Sequence, residues 1–556
     1  MQSPYNLRFV EEAANRILYA LEENESIAIL VDPDVDGFTS SAILTNYIKK
    51  LKPDVTLAHL FHDTKIHGLD DKKIMKKLRD DIAPDLLIIP DASGTEVQYN
   101  ALTELGINIV VIDHHPEMCE APDERVIVVN NQQSPNYTNE AMSGVGVVWQ
   151  VLRVLDDITG NKWANNWMDV TAMGLVADVM NLKSRETRFL VQEGLDPKNV
   201  TNPLMLHYAA ANSYNMPDPR YNPKKIGWNI GPLFNAVVRV GDTSEAEILF
   251  RALLEDADTT IVPSGKRGHV GEPVALVEEA LRQANNAKSR QTRRQNKLTE
   301  MIENFISEHD LRSNQVIIVK LDELDEDERS LTGVIANKLL GVYKRPILLC
   351  YREDKTKPIY KGSTRAPDDI PCFRNFRTQC DESGLFIYAR GHEGAHGHSF
   401  KEENIDTIIE YFNKKYEGQS TDVNYEVDFL FEADDPNLAD TIMALDEYKN
   451  WWGKGIEEPL IAVINAKCTI HNIELMSSEK NPTLKFKLKH GVGAIKFHSS
   501  KAEFDSFCRR GDSLLESHVA NNFTLVGEAS VNRWRDTVTP QVLLSYYEHN
   551  GYDYEF

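Results

Sequence analysis

Ile27-Ala28-Ile29-Leu30-Val31-Asp32-Pro33-Asp34-Val35-Asp36-Gly37 decides how this chain is read. Five apolar residues in a row predict a buried strand. Three acids on alternate positions follow at once. Gly37 then turns the chain into Thr39 to Leu51, whose pattern predicts a helix. Strand, acidic turn and helix in that order open a βαβ unit.

The pattern repeats outward. Val55 to Phe61, Leu86 to Ile89 (followed by Pro90), Ile107 to Ile112 and Val126 to Val129 read as further short strands between helical stretches. The expectation is an α/β fold with a largely parallel sheet. The carboxyl ends of parallel strands open onto one crevice, where ligands bind. Asp91 follows the third strand, and Asp113, His114 and His115 follow the fourth. Acids far apart in sequence therefore converge on one edge, where their repulsion calls for divalent cations. Oxygen ligands with a histidine suit manganese or magnesium better than a soft metal. Asp178 closes the apolar helical run Gly174-Leu175-Val176-Ala177. An isolated buried carboxylate is costly, which favours a metal ligand there over a local cap.

Two motif matches fail on inspection. Asp32 to Gly37 begins like an EF-hand loop, but Ile43 stands where that loop needs a glutamate. His392-Glu393-Gly394-Ala395-His396 spells HExxH, which requires a helix. Gly391, Gly394 and Gly397 each cost a helix about 1 kcal/mol, so a glycine-rich loop is the better reading.

At 556 residues, with 42% hydrophobic and 26% charged, the chain has room for roughly three to four domains. A net charge of −24 argues against a nonspecific, whole-surface nucleic-acid binder but not against a local basic channel. Six scattered cysteines make neither a disulfide scaffold nor a zinc site. No apolar run nears the ~18 residues of a membrane span, and the N-terminus has no signal pattern, so a cytoplasmic protein is expected.

The expected domains are 1–265 (catalytic), 266–305 (a basic, exposed connecting helix), 306–417 (a second α/β unit) and 418–556. The connector carries Lys288, Arg290, Arg293, Arg294 and Lys297 with no acid between them. Residues 194–225 read as a polar loop. The last unit reads as five strands, a small barrel of OB type. Trp451 and Trp534 are either base-stacking platforms or barrel core.

Four motifs resemble the DHH phosphoesterase family, and specifically RecJ-type single-strand-specific exonucleases. They are Asp32 to Gly37, Asp91-Ala92-Ser93-Gly94, Asp113-His114-His115 and Gly174 to Asp178. Ser143-Gly144-Val145-Gly146 and Glu186-Thr187-Arg188 resemble stretches flanking them. Gly231 to Arg239 resembles a segment beyond the catalytic core. Gly362 to Ala366 and Gly391 to Gly397 resemble the family's associated DHHA1 substrate domain, and Trp452 to Pro459 resembles the entry to its OB-like domain.

The resemblance implies a two-ion centre of Mn2+ or Mg2+. Asp91 would bridge the ions, Asp34 would serve one, and Asp36, His114 and Asp178 the other. Asp32 would be a ligand or an outer group near the first ion. Asp113 would orient the neighbouring imidazole, and His115 would contact the scissile phosphate or assist the leaving oxygen. Arg239 with Asn235, and Ser363, Arg365, Gly391 and His392, would bind substrate.

The activity so implied is metal-dependent 5′→3′ hydrolysis of single-stranded DNA to 5′-mononucleotides, in DNA repair and recombination. The protein would be a monomer supplied by a helicase or single-strand-binding protein. A phosphodiesterase for short oligonucleotides or cyclic dinucleotides is the same-chemistry alternative. A non-catalytic replication scaffold is disfavoured because the expected ligands are all present.

Overall fold

Ile27–Val31 (β1) is buried along its whole length. Ile27, Ile29 and Val31 enter one core with Phe38 and Val145. Ala28 and Leu30 enter another with Leu69 and Tyr99. A strand buried on both faces must be apolar throughout, which is why this run does not alternate. In this computed structural model the described residues are all except 63–65, 117–120, 122, 214–219, 322–323, 422–424, 477–481, 511–512, 535–536 and 555–556. The side chains of Glu326, Arg510 and Trp534 also lie outside the description, so the expectation for Trp534 falls there, as does Cys119.

After β1 comes the helix Val35–Leu51 (α1). It starts four residues before the expected Thr39 because Asp34 caps it, accepting from the Gly37 amide at 3.0 Å. Leu57–Phe61 (β2), Leu86–Pro90 (β3), Asn108–Asp113 (β4) and Val126–Asn130 (β5) complete an all-parallel sheet in the order β2-β1-β3-β4-β5. Gly144–Thr159 (α2) and Met168–Ala177 (α3) pack with α1 into the first of these cores. Within 194–225 the expected loop contains the helix Pro203–Ala211. Asn202 caps it and Pro203 occupies its first turn, so residues read as loop signals are a helix start.

Gly231–Val240 (α4) leads on toward Leu276–Glu308 (α5), of 33 residues. The expected long connecting helix is exposed over its basic middle, at Arg293, Arg294 and Lys297, but not along its whole length. Leu276, Ala280, Ala284 and Ala287 bury one end in the first core. Leu298, Ile302 and Ile306 bury the other end in the next. Its cations also meet acids from elsewhere in the chain: Arg290 pairs with Glu245 at 2.5 Å, and Arg294 pairs with Asp327.

The second sheet contains Ile317–Lys320 (β6), Ile347–Tyr351 (β7), Ile359–Arg365 (β8), Phe386–His392 (β9) and Ala395–Lys401 (β10). Its order is β9-β10-β8-β7-β6. The helix Glu326–Tyr343 (α6) packs on it. The HExxH residues are no helix. His392 and Ala395 pair across a tight β9–β10 hairpin, so the expected loop is a strand turn.

The last unit is a seven-stranded mixed sheet. It contains Phe429–Glu432 (β11), Leu460–Cys468 (β12), Ile473–Met476 (β13), Thr483–Lys487 (β14), Gly493–Lys496 (β15), Val519–Trp534 (β16) and Thr537–Tyr554 (β17). The order is β11-β12-β16-β17-β15-β14-β13. It wraps one apolar core in a barrel-like way, but no pairing closes it among the described residues. No described helix is long and apolar enough to cross a membrane.

Candidate metal centre

Asp32 follows β1, Asp91 follows β3, and Asp113 ends β4, so neighbouring strands deliver acids to one edge. Asp36 lies in the first turn of α1 against the start of α2. Ser143 Oγ donates to its Oδ1 at 2.9 Å, Gly144 N to Oδ2 at 2.6 Å, and Val145 N to Oδ1 at 3.1 Å. The Ser143-Gly144-Val145 stretch thus acts as a helix N-terminus that holds a carboxylate. Asp91 adopts φ +61° while its amide still donates to Ile112 O at 2.8 Å. Asp178 is the residue after α3.

His114 joins these acids. Its Nε2 lies 3.3 Å from Asp91 Oδ1, 3.5 Å from Asp178 Oδ2 and 4.0 Å from Asp36 Oδ2. Burial pushes its pKa below the usual histidine value despite the acids around it, so the nitrogen is available as a lone-pair donor. Burial, with Asp36 next, raises Asp91 well above the ordinary carboxylate range. The same two causes push Asp178 up to about 8.

Two glycines make this crowding possible. A Cβ on Gly144 would lie 2.5 Å from Asp91 Oδ1, and one on Gly174 would lie 2.7 Å from Asp36 Oδ1.

Asp91 Oδ1, Asp113 Oδ2 and Asp178 Oδ2 are buried without a hydrogen-bond partner among the described residues. The His114 contacts do not have hydrogen-bond geometry. Buried charges are normally paired or coordinate metals. Side chains able to hold an ion fall into the groups Asp36, His114, Asp178; Asp32, Asp34, His67; and Asp91, Asp113, His114, His115. Carboxylate oxygens with a neutral imidazole fit Mn2+ or Mg2+.

His115 points outward, with its side chain 56% exposed. Its Nδ1 lies 2.8 Å from Asp113 Oδ1, and that bond raises its pKa to about 9. Burial alone would raise Asp113, but the hydrogen bond from His115 and the nearby imidazoles hold it below the usual carboxylate range. Asp113 also accepts from the His114 amide at 2.6 Å, which fixes the turn that aims both rings.

The expected substrate residues separate into groups. Arg239, in the last turn of α4, donates to Ser330 O of α6, and its buried Nε has no partner. Burial lowers its pKa, and Arg365 adds repulsion. Arg365, at the end of β8, donates to Thr364 O at 2.7 Å. Among the described residues neither guanidinium has a carboxylate partner. Ser363 Oγ lies 3.0 Å from Thr332 Oγ1. His392 and Gly391 are exposed at the hairpin tip. His392 and Arg365 line a cavity of about 520 Å³ with Asn337, Lys344 and Gly394. Asn235 is exposed on α4, one turn before Arg239. Trp451 is taken up by Arg188, whose guanidinium carbon lies 5.6 Å from the ring centre.

The sequence reading passed over His67 and the α6 residues Thr332, Gly333 and Asn337. A Cβ on Gly333 would lie 2.9 Å from Arg365 Nη2, so α6 forms the wall behind that arginine. None of the four belongs to a motif; only the position of β2 beside β1 marked the loop carrying His67.

The DHH family, N-terminal domain, matches residues 26–175. The SPbeta prophage-derived protein YorK of Bacillus subtilis (strain 168), named provisionally as a single-strand DNA-specific exonuclease, is 32% identical over 544 residues. That alignment covers 96% of this chain and 89% of YorK. The single-stranded-DNA-specific exonuclease RecJ of the same organism is 23% identical over 97% of this chain and 63% of its own length. The manganese-bound crystal structure of RecJ from Thermus thermophilus superposes with a TM-score of 0.70 at 21% identity, covering 98% of this chain and 72% of that one. Its magnesium-bound form gives 0.63 at 19% identity, covering 97% and 70%.

Proposed function

This chain belongs to the DHH family, among its RecJ-like members, and we propose that it is a metal-dependent single-stranded DNA exonuclease working 5′→3′. The observation that carries the reading is Asp91 Oδ1, buried and unpartnered beside a neutral His114, with an arginine pair elsewhere on the chain that has no carboxylate partner among the described residues. Hydrolysis of a polyanion needs both features: cations at the reacting phosphate and fixed positive charge where the strand is held.

Asp34, Asp36, Asp91, His114 and Asp178, with Asp32 at one side, would hold two Mn2+ or Mg2+ ions. Bound there, such ions neutralise phosphate charge and lower the pKa of water for in-line attack. Asp113 keeps the His115 ring protonated and oriented. That imidazolium then hydrogen-bonds the scissile phosphate or gives its proton to the leaving oxygen. Arg365, Ser363 and His392 hold the terminal phosphate, and Arg239 holds the backbone where the first and second units meet.

In this reading 1–265 is the catalytic unit, 266–305 the connection, 306–417 the end-binding unit and 418–556 the strand-binding unit. The chain acts as a monomer on strands opened or coated by other proteins. The products are 5′-mononucleotides.

The test uses 5′-labelled and 3′-labelled DNA of ~40 nucleotides, with Mn2+ or with chelator. Early release of the 5′ label as a mononucleotide, only with metal, is the expected result. Loss of the 3′ label first overturns the polarity. No cleavage of the strand, with turnover of dinucleotides, moves the substrate to short oligonucleotides.

A further inference from the structure

β2 lies beside β1 in the sheet, so the loop leaving β2 opens on the same edge as Asp32, Asp34 and Asp36. Gly68, in that loop, is clipped to both neighbouring acidic turns. Its amide donates to Asp32 Oδ1 at 2.9 Å, and the next amide, Leu69 N, donates to Ser93 O at 3.2 Å. Gly68 has φ +57°, and a Cβ there would lie 2.2 Å from Ser93 O, so only glycine lets the loop pass this close. The residue before it, His67, is thereby held over the acids. Its Nδ1 lies 2.5 Å from Asp32 Oδ2, and its side chain is 51% exposed. Ligand atoms of Asp32, Asp34 and His67 lie within 4.8 Å of one another.

The other half of the centre has the same composition: Asp36, Asp178 and one imidazole, His114. A buried, unpartnered Asp91 oxygen beside His114 is the independent sign that the edge holds cations.

We infer that His67 is an imidazole ligand of the cation held by Asp32 and Asp34, which gives that position a nitrogen donor and the centre a preference for Mn2+ over Mg2+. This rests on the reading of the acidic edge as a two-cation centre. His67 Nδ1 already lies against Asp32 Oδ2, and an imidazole binds metal in its neutral form. Mg2+ is a hard cation that takes oxygen ligands in a strict octahedron, and nitrogen serves it poorly. Transition ions accept imidazole readily, so one nitrogen per site biases the pair toward manganese.

The competing role is orientation, with His67 fixing Asp32 from outside the coordination shell. Losing such an outer partner also costs about 10- to 100-fold in metal affinity, so affinity alone does not separate the roles. Selectivity does, because an outer partner affects both ions alike.

The experiment is calorimetric titration of the full chain with Mn2+ and separately with Mg2+, for wild type, His67→Ala and His67→Gln. Melting in chelator reports that each variant folds, and the glutamine variant serves if the alanine variant does not fold. The expected result is two Mn2+ per wild-type chain. Both variants should lose about tenfold or more in Mn2+ affinity at one position, with Mg2+ affinity changed by less than about threefold. Equal losses for both ions, or no loss, overturn the assignment of His67 and leave the two-cation centre standing. Failure of the wild type to bind Mn2+ overturns the centre itself, and the inference with it.

Discussion

His114 Nε2 stands 3.3 Å from Asp91 Oδ1, with no hydrogen bond joining them. The two residues directly follow adjacent strands, β4 and β3, so sheet register brings them together. The carboxylate is charged there only against burial and against Asp36, Asp34 and Asp32. A carboxyl whose folded pKa is raised makes its ionised form a cost to the folded state at neutral pH. Asp91→Asn removes that cost together with the proposed bridging ligand. In chelator the variant should melt a few degrees above wild type, while its nuclease activity falls below ~1% of wild type. Mn2+ should stabilise the wild type by about 2.7 kcal/mol at a hundredfold excess over its Kd, and the variant far less. Calorimetry with and without metal checks both. A lower melting point in chelator would show that the carboxylate accepts hydrogen bonds that hold the fold.

Gly144 is the second test of crowding. The first residue of α2 must pass Asp91 with no side chain, since a Cβ would lie 2.5 Å from the carboxylate. Gly144→Ala should displace Asp91, cost about 1–3 kcal/mol of stability, and lower metal affinity and turnover together. Gly227 is the control, because a Cβ there meets nothing within 4 Å. Gly227→Ala should leave metal binding and turnover unchanged.

Arg365 repels the buried Arg239, and neither has a carboxylate partner among the described residues, a repulsion that the proposed anionic substrate would relieve. Arg365→Ala should weaken binding of 5′-phosphorylated strands by about 10- to 100-fold, equivalent to about 1.4–2.8 kcal/mol. Mn2+ affinity should not change. Arg365→Lys should restore little, because a lysine cannot reproduce the planar fork backed by Gly333. Fluorescence anisotropy of a labelled strand, with Mn2+ titration in parallel, reads both. Loss of metal uptake in a folded variant would move Arg365 into the metal centre.

The acidic edge was legible because it is written locally. A run such as Ile27 to Asp36 gives strand, strand end and carboxylate in ten residues, and parallel topology brings the strand ends together. What escaped depends on contacts between distant segments. His67 sits in a loop with no motif, and only the Gly68 clip to Asp32 and Ser93 places it. The buried ends of the long helix and the ion pairs of its middle were not legible, because Arg290 and Arg294 have no acid near them in sequence. Their partners, Glu245 and Asp327, lie 45 and 33 residues away. The HExxH residues were rightly refused a helix, but nothing local announced a hairpin, since the pairing of Gly391 with His396 is itself the turn. Asp34 was read as a turn residue when it is also the cap that starts α1 early.

His398, on β10, is wholly buried. Its Nδ1 lies 2.7 Å from Thr364 Oγ1, its ring stacks on Phe400 at 5.3 Å, and its Nε2 has no hydrogen-bond partner among the described residues. Burial lowers its pKa to about 3, and burial lowers that of His396, on the same strand, to about 4. Unfolded, both titrate near 6.5. Between these values the unfolded chain binds protons that the folded one refuses, so stability falls as pH drops from about 6.5 toward 4, by up to about 1.4 kcal/mol per pH unit for each ring. Because a chain of several units need not melt in one step, amide exchange in β8 and β10 is the measurement, at pH 7, 6 and 5. Protection there should fall with acid, and His398→Phe should remove about half of the slope while keeping the stacked ring. Thr364 sits between Ser363 and Arg365, so the same acid loosening should weaken binding of a terminal phosphate before it affects Mn2+ uptake. An unchanged slope in the phenylalanine variant would show that His398 titrates in the folded strand as it does in the unfolded chain.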